Sequence, residues 1–110
     1  MTQTVYFGTY TRRESKGLYK ADFDSNNGTL SNLKLVAEEA SPTYLAFDAA
    51  GHLYTVGAEN GQGGIAAFDK DFKLLNHVVE EGAPLCYVAV DEKRDLVYGA
   101  NYHKGQVLVY

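Results

Sequence analysis

One pattern of residues occurs twice in the sequence, at an offset of 42 or 43 positions. Residues 42–48 (PTYLAFD) return as 84–91 (PLCYVAVD), and each copy is followed by a turn and two further apolar segments. A repeat of about 40–45 residues built from short strands is typical of a four-stranded propeller blade. A β-sandwich is the competing all-β architecture, but the repeat spacing favours a β-propeller.

The composition and the spacing of turn residues also predict strands. Nine Tyr and five Phe favour β-structure, and clusters of Gly, Asn and Asp interrupt the apolar segments every 8–12 residues or so. No segment sustains a helical apolar stripe with capping residues. The predicted strands are 5–10, 18–24, 30–37, 43–47, 52–58, 64–68, 74–80, 86–90, 96–101 and 106–110.

The N-terminal segment fits the repeat without its first strand, because residues 5–10 (VYFGTY) line up with 97–102 (VYGANY). We therefore predict the N-terminal part of a single propeller domain over 1–110. It comprises an incomplete blade at 1–40, a complete blade at 41–82 and an incomplete blade at 83–110. Partial blades expose unpaired strand edges, so we expect this segment to aggregate or fold poorly by itself.

Charge and cysteine content restrict the partners. The net charge of −4 and the pI of about 5.2 argue against a broad nucleic-acid or anionic-membrane surface. No apolar run approaches the ~18 residues of a membrane helix, and the N-terminus does not resemble a secretory signal. Cys86 is the single cysteine, which excludes an internal disulfide. We expect a cytoplasmic protein with a small-molecule substrate and no metal or cofactor; the oligomeric state is not indicated.

Several short motifs resemble the bacterial 6-phosphogluconolactonase-type lactonase family, whose members are seven-bladed β-propellers. They are 7–11 (FGTYT), 15–19 (SKGLY), 41–42 (SP), 53–54 (LY), Glu59, Pro84 and 100–102 (ANY). The resemblance covers essentially all 110 residues. It implies that this chain is the N-terminal portion of a seven-bladed ring.

The resemblance also implies an activity. It is the hydrolysis of a sugar lactone, 6-phosphogluconolactone to 6-phosphogluconate in the pentose phosphate pathway, by the full-length protein. The enzyme would be a carboxylic ester hydrolase, and this segment alone would be inactive. A relative of the same fold interconverts a carboxylated muconate and its lactone, so a cyclase is an alternative. A non-enzymatic interaction scaffold is another, although the chain lacks the Trp of the commonest scaffold propellers.

Blade geometry gathers the loops between second and third strands, and those between blades, on one face. A phosphorylated lactone needs cations on that face, and the predicted phosphate contacts are Arg12, Arg13 and His103. Exposed basic loops are more often only solvated. Tyr10, Tyr44 and Tyr102 are predicted to line the substrate site, with packing between blades as the alternative.

Lactone hydrolysis also needs a base and donors for the developing oxyanion. Glu59 and Asn101 are the candidate catalytic residues, placed by the repeat alignment at equivalent ends of second strands. Glu59 would act as base or substrate ligand, and Asn101 as amide donor or acceptor. Both types also commonly satisfy loop backbone groups. The main catalytic residues are expected downstream of residue 110. His77, on an outer fourth strand, and Cys86, expected to be buried, are not assigned a role.

Overall fold

The computed structural model describes residues 1–82 and 84–110, which form ten β-strands in three antiparallel sheets. Blade 1 contains β1 (Thr2–Phe7), β2 (Gly17–Asp24) and β3 (Thr29–Glu38). Blade 2 contains β4 (Leu45–Phe47), β5 (Leu53–Glu59), β6 (Gln62–Phe68) and β7 (Leu74–Glu80). Blade 3 contains β8 (Tyr87–Asp91), β9 (Leu96–Asn101) and β10 (Gln106–Val109). The prediction of one four-stranded blade between two incomplete ones is confirmed.

The first strand begins and ends three residues earlier than predicted, at Thr2–Phe7 rather than 5–10. Its polar start pairs with the end of β2, with Thr2 opposite Asp24. It ends before Gly8, where a Cβ atom would lie 2.2 Å from the Pro42 carbonyl oxygen. The chain leaves the sheet there because the blade 1–blade 2 connection occupies the space beside it.

The predicted blade boundaries at 40/41 and 82/83 fall in connections between sheets, and they stay predictions. Ala83, the first residue of the third predicted blade, lies outside the described residues. Within the described ranges no helix is long and apolar enough to cross a membrane.

Two apolar clusters hold the three sheets together, because β5 and β6 bury residues on both of their faces. Leu18 of blade 1 packs with Leu53, Ala66 and Phe68 of blade 2. On the other side of blade 2, a second cluster joins blades 2 and 3; its buried members are Val56, Ile65, Leu85 and Val88. Burying one Leu or Phe side chain fully is worth roughly 1.5–3 kcal/mol, so these clusters are the main attraction between blades.

Specific contacts add to the clusters at each junction. Between blades 1 and 2, the Tyr6 ring packs against Phe47 with ring centroids 5.0 Å apart. Between blades 2 and 3, the Glu92 carboxylate accepts a hydrogen bond of 2.6 Å from the backbone N–H of Ala49. The Glu92 contact joins corresponding turns, each of which lies between the first and second strands of its blade.

Candidate functional site

A groove of about 260 Å³ opens where the β1–β2 loop, the β9–β10 loop and the two connections between blades meet. We call it the loop groove. Its lining residues are Tyr10, Arg12, Ser41, Thr43, Pro84, Leu85, Cys86, Tyr102 and His103. Four of the predicted substrate-binding residues are thus gathered in one place: Tyr10, Arg12, Tyr102 and His103.

Reciprocal hydrogen bonds fix one wall of the loop groove. The backbone N–H of Thr11 donates to Ser41 Oγ at 3.1 Å, and the backbone N–H of Ser41 donates to Thr11 Oγ1 at 3.0 Å. Ser41 has φ of 42°, in the left-handed region. These bonds tie the loop that carries Tyr10 and Arg12 to the connection between blades 1 and 2.

The two basic side chains of the loop groove, Arg12 and His103, each lie against an aromatic ring. The Arg12 guanidinium carbon is 4.9 Å from the centroid of the Tyr10 ring. The His103 ring lies 4.1 Å from the Tyr102 ring, centroid to centroid. Tyr10 and Tyr102 are 63% and 70% exposed. Such a groove offers positive charge to an anionic group and flat apolar faces to a ring-shaped ligand.

Two other predicted binding residues lie outside this lining. Arg13 lines a neighbouring hollow of about 320 Å³ together with Tyr10, Arg12 and Ser15. Tyr44 lies against Tyr87, with ring centroids 4.5 Å apart. Hydrogen bonding with the Tyr87 hydroxyl raises the pKa of Tyr44.

Asn101 is buried, with only 3% of its surface exposed. Its Oδ1 accepts a hydrogen bond from the backbone N–H of Lys104 at 3.3 Å. The ladders show that the sequence alignment of Asn101 with Glu59 is wrong. In blade 3, Asn101 lies opposite the first residue of β10. The equivalent pair in blade 2 is Gly57 opposite Gly64. Asn101 therefore corresponds to Gly57, because the β5–β6 hairpin extends further than β9–β10.

Glu59 belongs to a cluster that the sequence analysis missed. Its Oε2 lies 3.3 Å from Nδ1 of His77, and Nε2 of His77 lies 2.8 Å from Oε1 of Glu39. The other carboxylate oxygen of Glu39 accepts a hydrogen bond of 3.1 Å from the backbone N–H of Ala58. The His77 and Glu39 side chains are 10% and 3% exposed, whereas that of Glu59 is 50% exposed. Contacts across 38 positions of sequence carry no local signal, so pattern analysis could not find them.

Cys86 was expected to be buried, but it is partly exposed. It lines the loop groove, and its thiol donates a hydrogen bond of 3.3 Å to the carbonyl oxygen of Ala100. The bend of the chain before β8 brings this residue to the groove surface.

Comparison with known proteins identifies the family. The profile of the family described as "Lactonase, 7-bladed beta-propeller" matches residues 4–110. The chain belongs to this lactonase family. A crystal structure of a protein from Lactobacillus plantarum superposes on it with a TM-score of 0.91 and 46% identity, covering 99% of this chain and 33% of that one.

Two bacterial proteins are similar in sequence over the whole of this chain. The protein YwcC of Lactococcus lactis subsp. lactis is 52% identical over 113 residues, covering 100% of this chain and 33% of the relative. The 6-phosphogluconolactonase of Bacillus subtilis is 39% identical over 117 residues, covering 100% of this chain and 34% of the relative. The chain thus spans about a third of the length of these relatives.

Proposed function

We propose that the full-length protein hydrolyses a sugar lactone, with 6-phosphogluconolactone as the favoured substrate. The observation that carries the proposal is the gathering of Arg12 and His103 with two exposed tyrosine rings in the loop groove. The 39% identity to the 6-phosphogluconolactonase of Bacillus subtilis supports the choice of substrate. The enzyme is then a carboxylic ester hydrolase of the pentose phosphate pathway and acts in the cytoplasm without a cofactor.

The reaction adds water to the lactone carbonyl and breaks the ring C–O bond. A base accepts a proton from the attacking water, hydrogen-bond donors stabilise the oxyanion, and the released ring oxygen takes up a proton. In the proposal Arg12 and His103 bind the phosphate by charge-assisted hydrogen bonds. Tyr10 and Tyr102 contact the sugar, and Tyr44 also contacts the substrate. Arg13 adds positive charge from the neighbouring hollow.

Glu59 keeps its predicted role as base or substrate ligand in the proposal, whereas the buried Asn101 takes a supporting role. The half-exposed Glu59 carboxylate is the one acidic group of its cluster that can reach a ligand. Asn101 acts through its support of the β9–β10 loop, because its Oδ1 accepts from Lys104, next to His103. The remaining catalytic groups are expected in the part of the full-length protein that follows residue 110.

The test is a steady-state assay of the full-length protein on freshly generated 6-phosphogluconolactone and on the unphosphorylated lactone. Arg12→Ala and His103→Ala should each raise KM for the phosphorylated substrate by roughly tenfold or more, since a hydrogen bond to a charged group is worth about 1.5–3 kcal/mol. The same variants should change KM for the unphosphorylated lactone much less.

Arg94→Ala is the matched control, because Arg94 is 69% exposed and bonds to Asp91 away from the loop groove. Hydrolysis no faster than the spontaneous rate would overturn the proposed function. Hydrolysis with equal KM effects on both lactones would overturn the phosphate role of Arg12 and His103.

A further inference from the structure

The His77 ring contacts carboxylates from two blades. Both ring nitrogens face a carboxylate oxygen, Nε2 towards Glu39 at 2.8 Å and Nδ1 towards Glu59 at 3.3 Å. Glu39 follows the last strand of blade 1, whereas His77 and Glu59 belong to blade 2.

Blade 2 has a specific space for the Glu39 carboxylate. A Cβ atom at Gly57 would lie 2.6 Å from Glu39 Oε2 and 3.2 Å from the Ala66 Cβ. The missing side chain of Gly57 therefore lets the carboxylate reach both the backbone N–H of Ala58 and the His77 ring. A buried carboxylate persists only when it is paired and hydrogen-bonded, and here both oxygens have a donor.

The junction between blades 2 and 3 is built differently. Glu81 is the counterpart of Glu39 at the repeat offset of 42 residues. Its backbone carbonyl accepts a hydrogen bond of 2.6 Å from Lys104 Nζ. Asn101 stands where blade 2 has Gly57, so the second junction lacks the glycine that makes room for a carboxylate. The buried carboxylate is consequently a feature of the first junction and is not imposed by the repeat.

The anchored carboxylate is two residues from the wall of the loop groove. The backbone N–H of Glu39 donates to the Lys16 carbonyl at 3.3 Å, at the end of the β1–β2 loop. Ser41 then exchanges its two hydrogen bonds with Thr11, beside Arg12. The bonds to Lys16 and to Thr11 hold the connection against the Arg12 loop at two points. Anchoring Glu39 on blade 2 therefore also fixes the position of that loop.

We propose that Glu39 and His77 are positioning residues that hold the Arg12 loop in place for an anionic ligand of the loop groove. The pair, which we call the Glu39–His77 clamp, touches no ligand itself. It acts by anchoring the blade 1–blade 2 connection to β5 and β7, so that Ser41 and Thr11 present Arg12 in one position. This inference rests on the proposed function for its substrate, but its structural part can be measured independently.

The test compares His77→Gln and Glu39→Gln with His52→Gln in the full-length protein. His52 is the matched control, because its Nδ1 pairs with Asp48 at 3.0 Å, near the turn between β4 and β5. In both clamp variants, KM for the phosphorylated lactone should rise roughly tenfold, since coupling through a packed network is of order 0.5–2 kcal/mol. In Glu39→Gln, kcat should stay within about twofold. His77→Gln also removes the partner of Glu59, so KM and hydrogen exchange, and not kcat, are compared for that variant. Hydrogen exchange at the Thr11 and Ser41 amides should accelerate by a similar factor. His52→Gln should change neither quantity.

The outcomes separate the two proposals. If the wild-type protein does not hydrolyse the lactone, the proposed function fails, and exchange at Thr11 and Ser41 together with the affinity for inorganic phosphate decides the clamp. A lower Tm with unchanged exchange and unchanged KM or phosphate affinity would mean a structural role alone and would overturn the clamp proposal. Gly57→Ala is a further variant that displaces the carboxylate without removing a charge, and it should reproduce the same changes if the proposal is right.

Discussion

The Asp91 carboxylate accepts a hydrogen bond of 2.8 Å from the Tyr98 hydroxyl. Asp91 ends β8 and Tyr98 lies in β9, so the bond closes the hairpin between the first two strands of blade 3. Blade 2 has the same pair, because the Tyr54 hydroxyl donates to Asp48 at 3.2 Å. The two blades therefore share an interaction as well as a pattern of apolar residues.

Replacing Tyr98 by Phe should make the thermal stability of the protein less dependent on pH in the acidic range. The Tyr98 hydrogen bond is the largest cause that lowers the pKa of Asp91 below its ordinary value of 3.8. A lowered folded-state pKa gives stability that is present above the ordinary value and is lost as the pH falls through the folded-state pKa. We expect Tyr98→Phe to lower Tm near neutral pH, with the difference from wild type shrinking below about pH 4.

Thermal unfolding of both proteins between about pH 7 and about pH 2 tests this. Tyr19→Phe is the control, because the Tyr19 hydroxyl accepts from the backbone N–H of Lys16 and contacts no carboxylate in the described hydrogen bonds. Its effect on Tm should not depend on the pH in this range. A Tm difference for Tyr98→Phe that stays constant down to the lowest pH would contradict the assigned role of Asp91.

Replacing Thr55 by Val should stabilise the protein. Thr55 is fully buried in β5, and its hydroxyl has no hydrogen-bond partner among the described residues. An unsatisfied buried polar atom costs about 1–3 kcal/mol, and an apolar residue of the same shape removes that cost. We expect an increase of about 1 kcal/mol in the free energy of unfolding, measured by denaturant titration of the full-length protein.

Thr9→Val is the matched substitution at a bonded hydroxyl, since Thr9 Oγ1 donates to the Gly17 carbonyl at 2.5 Å. It should destabilise the protein. If both substitutions destabilise by similar amounts, Thr55 has a partner such as an ordered water, and the prediction for Thr55 is wrong.

Gly8→Ala should damage both stability and substrate binding. Its Cβ would lie 2.2 Å from the Pro42 carbonyl oxygen, a backbone atom that cannot move without the connection between blades. Because that connection also forms a wall of the loop groove, we expect a lower Tm together with a higher KM. Gly105→Asn is the control: its φ of 66° suits Asn, no atom lies within 4 Å of the added Cβ, and little change is expected.

Lys104→Ala should leave substrate binding nearly unchanged, although Lys104 follows His103 directly. The Nζ atom of Lys104 donates to the Glu81 carbonyl at 2.6 Å, and its side chain lies against Gly82. Its charge is thus directed to the blade 2–blade 3 connection. We expect KM within about twofold of wild type, against roughly tenfold for Arg12→Ala. A tenfold rise for Lys104→Ala would move the anion site towards Lys104.

The fold could be predicted because each blade is encoded locally. Alternating apolar strands, turn residues and the repeat offset lie within about 45 residues, which is the range that pattern analysis can cover. Strand order also predicts on which face each loop lies. The sequence could therefore place Tyr10, Arg12, Tyr102 and His103 on one face.

Pairwise geometry between blades was beyond the reach of sequence patterns. The misalignment of Asn101 with Glu59 arose because the β5–β6 hairpin extends further than β9–β10, which shifts the comparison by two positions. The partnership of Glu39 with His77 depends on the space at Gly57, and a glycine within a strand is compatible with many different packing arrangements. Long-range contacts of this kind follow from packing and become visible only in three dimensions.

The two junctions between blades are joined by different chemistry: a buried carboxylate and a Tyr6–Phe47 contact at the first, a Tyr44–Tyr87 contact and the Glu92 hydrogen bond at the second. A chain of similar repeats risks pairing the wrong units during folding. If blade 3 took the place of blade 2, Glu39 would meet the side chain of Asn101 instead of the space at Gly57, and its carboxylate would lose the Ala58 and His77 donors. The different contacts at the two junctions therefore favour this order of the blades over a misordered one.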